Sequence, residues 1–378
     1  MAWNIERYFL DVINNRTPGL AAGSLRKLLF VLSKIYGFIV LLRYFFYRHG
    51  IFRRKTLGCV IISIGNITVG GTGKTPLVEM FARALSDGGR KVAVLSRGYK
   101  RKKRSRLSGL LRGEWHEPPG IVSTGEKLLM TSADAGDEPY MLARNLKGVS
   151  VIVGKDRVRS GGYAIEMLGA DTLILDDGFQ YLPLNRRLDI VLVDATNPFG
   201  NGHLLPRGIL REPRRNLKRA DIFFITKAKE TDTAPVRERI RAYNTRAEIV
   251  ECYYEPRYFA DVSGTQRYDL SYVQGKQVAV ISAIADPEGF ETSIRRLGAT
   301  VRATYRYADH YRYTREDIDV VIRELGKNVD CIVTTEKDSV RFPNAFPGAL
   351  PMIYLRVDVK IINGSRDFSD CVARLCNF

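Results

Sequence analysis

The chain has no CxxC pair among its five cysteines (Cys59, Cys252, Cys331, Cys371, Cys376). An odd, scattered set of thiols excludes a secreted disulfide framework and a structural zinc site, so a reducing, cytosolic setting is expected. It also lacks an unbroken apolar run of roughly 20 residues, the length that spans a bilayer. The strongest candidate, residues 25–48, is interrupted by Lys34 and Arg43. No small-residue cleavage site follows it, so a removed signal peptide is not expected. No internal repeat and no long low-complexity linker divides the chain. Negative charge is in short supply: 41 acidic residues against 59 lysines and arginines give +18. Such an excess implies an anionic partner, whether nucleic acid, an acidic membrane surface or a phosphorylated substrate, and charge alone does not choose among them.

What is present is apolar material enough for two cores, 45% hydrophobic residues over 378 positions. On residues 25–48, Arg26, Lys27, Ser33, Lys34, Gly37, Tyr44 and Arg48 share one arc of a helical wheel, while Leu28, Leu32, Ile35, Ile39 and Leu42 point elsewhere. That pattern suits a helix at a membrane interface. Apolar runs at 57–65, 92–96, 149–153, 171–176, 188–194 and 220–226 alternate with helix-length stretches and predict a parallel sheet covered by helices. A second series runs through 278–284, 299–307, 329–335 and 351–355. The span 227–275 is polar and mixed, and the domain boundary is placed within it, near 255. The expectation is therefore an α/β protein: a membrane-associated helical segment (1–50), a core domain (51–255) and a smaller C-terminal α/β domain (256–378).

Residues 68–76 read TVGGTGKTP. A P-loop wraps a β-phosphate in backbone N–H groups, neutralises it with a lysine and holds magnesium through a hydroxyl. Thr68, Gly70, Gly71, Thr72, Gly73, Lys74 and Thr75 supply those parts, although Thr68 stands where the usual pattern has glycine. Gly70-Gly71 is expected to supply the positive-φ positions, and a helix beginning at Pro76 would favour the anion. The run TLILDDGFQ (172–180) ends a strand in Asp176 and Asp177, the arrangement by which P-loop enzymes hold Mg²⁺ near the γ-phosphate. In ITKAK (225–229) Lys229 stands at the aspartate position of a guanine-reading segment, which favours ATP over GTP.

These pieces resemble the tetraacyldisaccharide 4'-kinases, which phosphorylate the lipid A disaccharide 1-phosphate precursor at the inner membrane of Gram-negative bacteria. The resemblance spans nearly the whole chain and rests on SIGNITVGGTGKTP (63–76), LSRGYKR (95–101), GDEP (136–139), LDDGFQ (175–180), LLPRGILREP (204–213), DHYRYT (309–314) and TTEKD (334–338). It implies an ATP- and Mg²⁺-dependent transfer to the 4'-hydroxyl, giving lipid IVA, on the cytoplasmic face of the inner membrane. Asp137 matches the family's catalytic base, and His310 its partner, expected to reach it from the second domain so that cleft closure assembles the site. Lys74 and Arg211 would meet charge on the transferred group. Thr75, Asp176, Asp177 and Gln180 would hold the metal, and Glu138, Tyr181 and Glu212 would lie on the substrate side. The chain departs from the family at Tyr181, where histidine is common; a tyrosine cannot serve as a neutral imidazole.

The resemblance gives the charge a specific reading as well. Clusters at Arg97–Arg106 and Arg207–Arg219 are expected to face anionic lipid or the substrate's 1-phosphate. No nucleic acid and no obligate protein partner is expected. The rivals are a basic P-loop ATPase acting on nucleic acid and a membrane-bound nucleotide switch.

Overall fold

A computed structural model describes residues 8, 11–13, 15–71, 73–98, 118–325, 328–343 and 350–377. The elements begin with α1 (Leu20–Arg48), β1 (Val60–Asn66), α2 (Lys74–Asp87), β2 (Val92–Ser96), β3 (Gly120–Ser123), α3 (Asp137–Asn145), β4 (Ser150–Val153) and α4 (Arg157–Leu168). There follow β5 (Thr172–Asp176), β6 (Leu188–Asp194), β7 (Ile222–Thr226), α5 (Ala234–Arg241), β8 (Glu248–Asp261) and β9 (Arg267–Tyr268). The chain ends with β10 (Gln277–Ser282), α6 (Pro287–Arg296), β11 (Thr300–Arg306), α7 (Arg315–Leu325), β12 (Cys331–Thr335), β13 (Met352–Asn363) and α8 (Ser365–Cys376).

Contacts divide this chain into two compact units. The first comprises Met1–Ser96, Asp156–Tyr253 and Lys360–Phe378, the second Arg97–Lys155 and Tyr254–Val359. They differ from three consecutive segments: residues 97–155 group with the C-terminal half, and residues 360–378 return to the first unit. A chain that leaves a unit and comes back carries no compositional mark at the crossing.

In the first unit the strands lie in the order β8-β7-β6-β1-β5-β2, all parallel. Both faces are covered, which is why these strands read as unbroken apolar runs. β1 sits between β5 and β6, so the loop leaving its carboxyl end lies where connections diverge to either side, the usual ligand position in open α/β sheets. Phe179, Val191, Phe199, Leu217 and Phe223 form the core on one face.

α1 leaves most of its large apolar side chains exposed. Ala22, Leu29, Ser33 and Gly37 are its buried residues, whereas Leu28, Val31, Ile35, Phe38, Ile39 and Phe45 are exposed. Ser33 and Gly37 of the polar arc thus pack inward with Ala22 and Leu29, while Lys27, Lys34 and Arg48 of that arc are exposed together with the apolar side chains. A Cβ on Gly37 would stand 2.6 Å from Leu204 Cδ1, and Tyr36 Oη donates to the Arg211 carbonyl at 2.9 Å. Despite Lys34 and Arg43, α1 is long and apolar enough to cross a membrane.

In the second unit β11-β10-β12-β13 are parallel, β3 pairs antiparallel with β4, and the end of β8 pairs antiparallel with β9. Alternate residues feed two cores, Ala279, Ile281 and Ile332 on one side, Val278, Val280 and Val333 on the other. β8 falls within the span that polar patterning left unassigned, and only part of it is fully buried.

Candidate functional site

The loop after β1 opens into α2 with Gly73 as its cap, at φ 74°, and Lys74 as the first helical residue. Among the described residues of this loop, the positive-φ glycines are Gly70 (φ 117°) and Gly73. This corrects the expectation for Gly71: the turn is made at Gly70 and at the helix cap. Pro76 falls within the first turn of α2. Thr68 is buried and bridges to Leu210, and Thr72 lies outside the described residues.

β1 and β5 register Ile64 against Asp176, so the two carboxylates at the end of β5 stand beside the glycine loop. Their environments differ. Asp176 is 7% exposed and accepts from Ser96 Oγ at 2.9 Å. Burial, and then the charge of Asp177, push its carboxyl above the usual range. Asp177 has a left-handed backbone (φ 52°) and turns toward cations. Arg211 Nη1 donates to its Oδ2 at 2.7 Å and to Oδ1 at 2.9 Å, and Lys74 Nζ is 3.5 Å from Oδ1. Burial alone would raise this carboxyl, but Lys74 and Arg211 outweigh it and hold it below the usual range. Arg157, 4% exposed, donates to the carbonyls of Asp176 (2.6 Å) and Asp177 (3.1 Å), pinning the strained turn from behind.

The supporting residues are equally specific. Lys74 Nζ donates to Asn66 Oδ1 at 3.3 Å, and Gln180 Nε2 to the Asn66 carbonyl at 2.8 Å. Glu212, 4% exposed, accepts from Asn216 and Arg219, and Arg219 lies over the Phe179 ring. Tyr181 Oη accepts from the backbone N–H groups of Arg157 (2.9 Å) and Val158 (3.3 Å), so this side chain caps α4. Of the second basic cluster, Arg207, Arg211 and Arg219 are engaged within the first unit, by Asn15 and the Ile13 carbonyl, Asp177 and Glu212 respectively. Carbonyl, amide and carboxylate oxygens of the protein itself thus claim these three guanidiniums. In the first cluster all but Arg97 lies outside the described residues.

The second unit holds the other carboxylate. Asp137 and Glu138 are the first two residues of α3, at the end that favours negative charge. His310 sits on the loop before the capping box of α7, in which Thr314 and Asp317 exchange side-chain and backbone hydrogen bonds. Its φ is 64°, and the ring turns back so that Nδ1 lies 3.0 Å from Asp137 Oδ2. Both residues belong to one unit, which corrects the expectation that they lie on different domains and meet by closure: segment 97–155 carries Asp137 into the C-terminal unit.

Asp137 is 4% exposed and surrounded by donors. Arg341 Nε donates to Oδ2 at 2.8 Å, and Arg312 Nη2 to Oδ1 at 3.2 Å. Burial would raise its carboxyl, but the hydrogen bond with His310 and the Arg341 guanidinium carry it below the usual range. Lys337 Nζ is 2.8 Å from Glu138 Oε1 and 3.4 Å from His310 Nε2. Asp137, Glu138 and His310 converge closely enough to suggest a metal site. The ammonium of Lys337 and guanidinium of Arg341 already supply positive charge to that cluster, so its charge needs no cation.

Sequence patterning missed Arg341, Arg312, Lys337, Arg157, Asn66 and Ser96. Lys337 falls inside TTEKD, Arg312 inside DHYRYT, Asn66 inside SIGNITVGGTGKTP and Ser96 inside LSRGYKR, motifs in which these residues carry no signal of their own. Arg341 and Arg157 fall in no motif and are hidden in the sequence among its many arginines.

A family model described as Tetraacyldisaccharide-1-P 4'-kinase matches residues 25–377. The chain is 39% identical over 349 residues to the tetraacyldisaccharide 4'-kinase of Syntrophus aciditrophicus, covering 88% of this chain and 89% of that one. It is 36% identical over 350 residues to the protein of the same name from Elusimicrobium minutum, covering 91% and 89%. Among solved structures it is similar to LpxK from Aquifex aeolicus in complex with ATP, with a TM-score of 0.74 and 29% identity over 93% of this chain and 99% of that one.

Proposed function

The chain belongs to the tetraacyldisaccharide-1-P 4'-kinase family, and from that premise we propose which of its residues carry out each part of the reaction. The activity is a phosphoryl transfer to the 4'-hydroxyl of tetraacyldisaccharide 1-phosphate in lipid A biosynthesis. Membership disposes of the nucleic-acid and switch readings.

The donor is ATP, held by the loop from Thr68 to Thr75 in the first unit, with Lys74 against the β- and γ-phosphates. Transfer of this kind asks the protein mainly to align the partners and to meet charge on the moving group. Lys74 and Arg211 meet it, released from Asp177 as phosphate oxygens take its place. Thr75, Asp176, Asp177 and Gln180 offer only hard oxygen donors, the set that suits Mg²⁺. Asp176 fits best, because an acid raised by burial gains most from a nearby cation. Held there, Mg²⁺ would neutralise charge on the phosphates.

The second unit supplies the base. Asp137 takes the proton of the 4'-hydroxyl as that oxygen bonds to the γ-phosphorus and the bond to the β,γ-bridging oxygen breaks, leaving ADP. A carboxylate held below its usual range is a weak base, so its use lies in alignment more than in driving force. His310 orients it. Glu138, Tyr181 and Glu212 act indirectly, through Lys337, the α4 cap and Arg219.

The apolar face of α1 lies in the bilayer that holds the acceptor lipid, on the cytoplasmic side of the inner membrane. The observation that carries this reading is the 3.0 Å pairing of Asp137 with His310 in a chain matched to the family from 25 to 377. Incubation with γ-labelled ATP, magnesium and tetraacyldisaccharide 1-phosphate in mixed micelles tests it. Labelled lipid is expected from the parent and not from Lys74→Ala; a parent that leaves the lipid unlabelled overturns it.

A further inference from the structure

We infer that Arg341 is a positioning residue for the proton transfer, a rigid fork that sets where the Asp137 carboxylate stands relative to His310. The inference rests on the assignment of Asp137 as base.

Arg341 has a side chain wholly closed to solvent. Nε donates to Asp137 Oδ2 at 2.8 Å. Nη1 donates to Asp338 Oδ1 at 2.7 Å and to the Ala283 carbonyl at 2.9 Å, and Nη2 is 3.3 Å from His310 Nδ1. Asp338 is itself fully buried and fixed, accepting from Thr335 Oγ1 at 2.7 Å and from the Ala283 N–H at 3.2 Å. A guanidinium is planar, so anchoring Nη1 at the ends of β10 and β12 dictates where Nε points. The position of Asp137 Oδ2 is thereby referred to the sheet and not to the loop that carries His310.

A purely structural role would need only the Arg341–Asp338 pair, which satisfies both charges locally. The bond to Asp137 and the approach to His310 are additional, and both point at the reacting carboxylate. Lysine could keep the charge but not the fork.

The charged groups around Asp137 are His310, Arg312 and Asp309 from the loop before α7, Arg341, Lys337 and Asp338 from the segment after β12, and Glu138 on its own helix. Removing the guanidinium takes away one of the two cations bonded directly to the carboxylate, so Asp137 protonates at higher pH.

The experiment compares parent, Arg341→Lys, Arg341→Gln and Asp137→Asn by kcat and KM for ATP across pH, with melting temperatures to count folded protein. Arg341→Gln is expected to lose about 100-fold in kcat, with its acid limb moved up by about one pH unit. Arg341→Lys is expected to lose about tenfold with a smaller upward move, the charge being retained without the geometry. KM for ATP stays unchanged in both. If Arg341→Gln does not fold, Arg341→Lys decides alone. Parent-like kcat and an unmoved acid limb in Arg341→Lys, or a loss that vanishes on correction for folded fraction, overturns the inference. Should Asp137→Asn retain turnover, the base assignment fails first; if it is inactive while Arg341→Lys is parent-like, only the role of Arg341 falls.

Discussion

Arg211 grips Asp177 through a single nitrogen, Nη1, at 2.7 and 2.9 Å from the two carboxylate oxygens, while Lys74 approaches the same group to 3.5 Å. The two cations proposed to meet phosphate are thus held by a carboxylate beside the loop. On that proposal, nucleotide binding exchanges one anion for another.

Asp177→Asn tests that exchange. Freed of their competitor, Lys74 and Arg211 bind magnesium-free ATP at least as tightly as in the parent, while kcat falls by about 100-fold for want of correct charge placement. Calorimetric titration without metal, set beside turnover with it, checks both halves. Weaker metal-free binding would sink the account.

Asp176 predicts a trade of function for stability. Its carboxyl is raised by burial and by Asp177, so holding it ionised costs folding free energy above its folded pKa, and that cost disappears in acid. Asp176→Asn removes the cost. At pH 7 the apo protein gains on the order of 1 kcal/mol and melts a few degrees higher, the difference shrinking toward pH 4, with activity largely lost. Scanning calorimetry at two pH values reads this; an equal shift at both contradicts it.

The sign reverses at Asp137. Its carboxyl lies below the usual range, because the His310 hydrogen bond and the Arg341 guanidinium outweigh burial. It therefore contributes stability that is fully present above the unfolded value near 3.8 and is lost as pH falls through the folded one. The parent's urea midpoint should drop on acidification below about pH 4, and that of Asp137→Asn should drop less. Parallel curves would remove the argument.

Tyr181→Phe separates capping from chemistry. Loss of the hydroxyl uncaps Arg157 and Val158 and costs about 1 kcal/mol, the ordinary worth of an N-cap. Asp156 limits the damage, accepting from Val158 N and Arg159 N. Turnover should stay within about threefold, since no step is routed through the hydroxyl. A far larger loss in kcat at unchanged melting temperature would return this position to the chemistry.

The two faces of α1 predict opposite phenotypes. Phe38→Ser and Ile39→Ser alter exposed side chains, so folding is retained while affinity for anionic vesicles falls about tenfold or more each, from apolar area no longer withdrawn from water. Gly37→Val drives a branched side chain toward Leu204 and costs about 1–3 kcal/mol by overpacking. Co-sedimentation and melting curves distinguish them; vesicle binding unaffected by both serines would detach α1 from the membrane.

The proposed nucleotide half of the site was legible in the sequence because its parts are local. Strand, glycine loop and helix follow one another between 60 and 87, and β5 announces Asp176 and Asp177 by its apolar run. Position relative to the sheet then follows from parallel pairing. The base half was legible only through resemblance, since Asp137, His310 and Arg341 come together across more than 170 residues of sequence and no periodicity relates them. Arg341 could not be picked from the sequence: its importance lies in burial, and nothing in a basic chain marks which arginine is buried. Strand β8 was missed for a related reason, its half-covered surface giving no clean alternation.

Seating of the exposed apolar side chains of α1 in a bilayer, as proposed, carries a kinetic consequence. A catalyst pinned to a sheet of lipid meets its acceptor by sideways diffusion, so its rate follows molecules of acceptor per unit of surface and not per litre. Adding inert detergent or phospholipid at constant bulk acceptor should slow turnover by spreading the acceptor thinner. Stripped of its apolar stripe, the same enzyme should become indifferent to that dilution and respond only to bulk acceptor concentration.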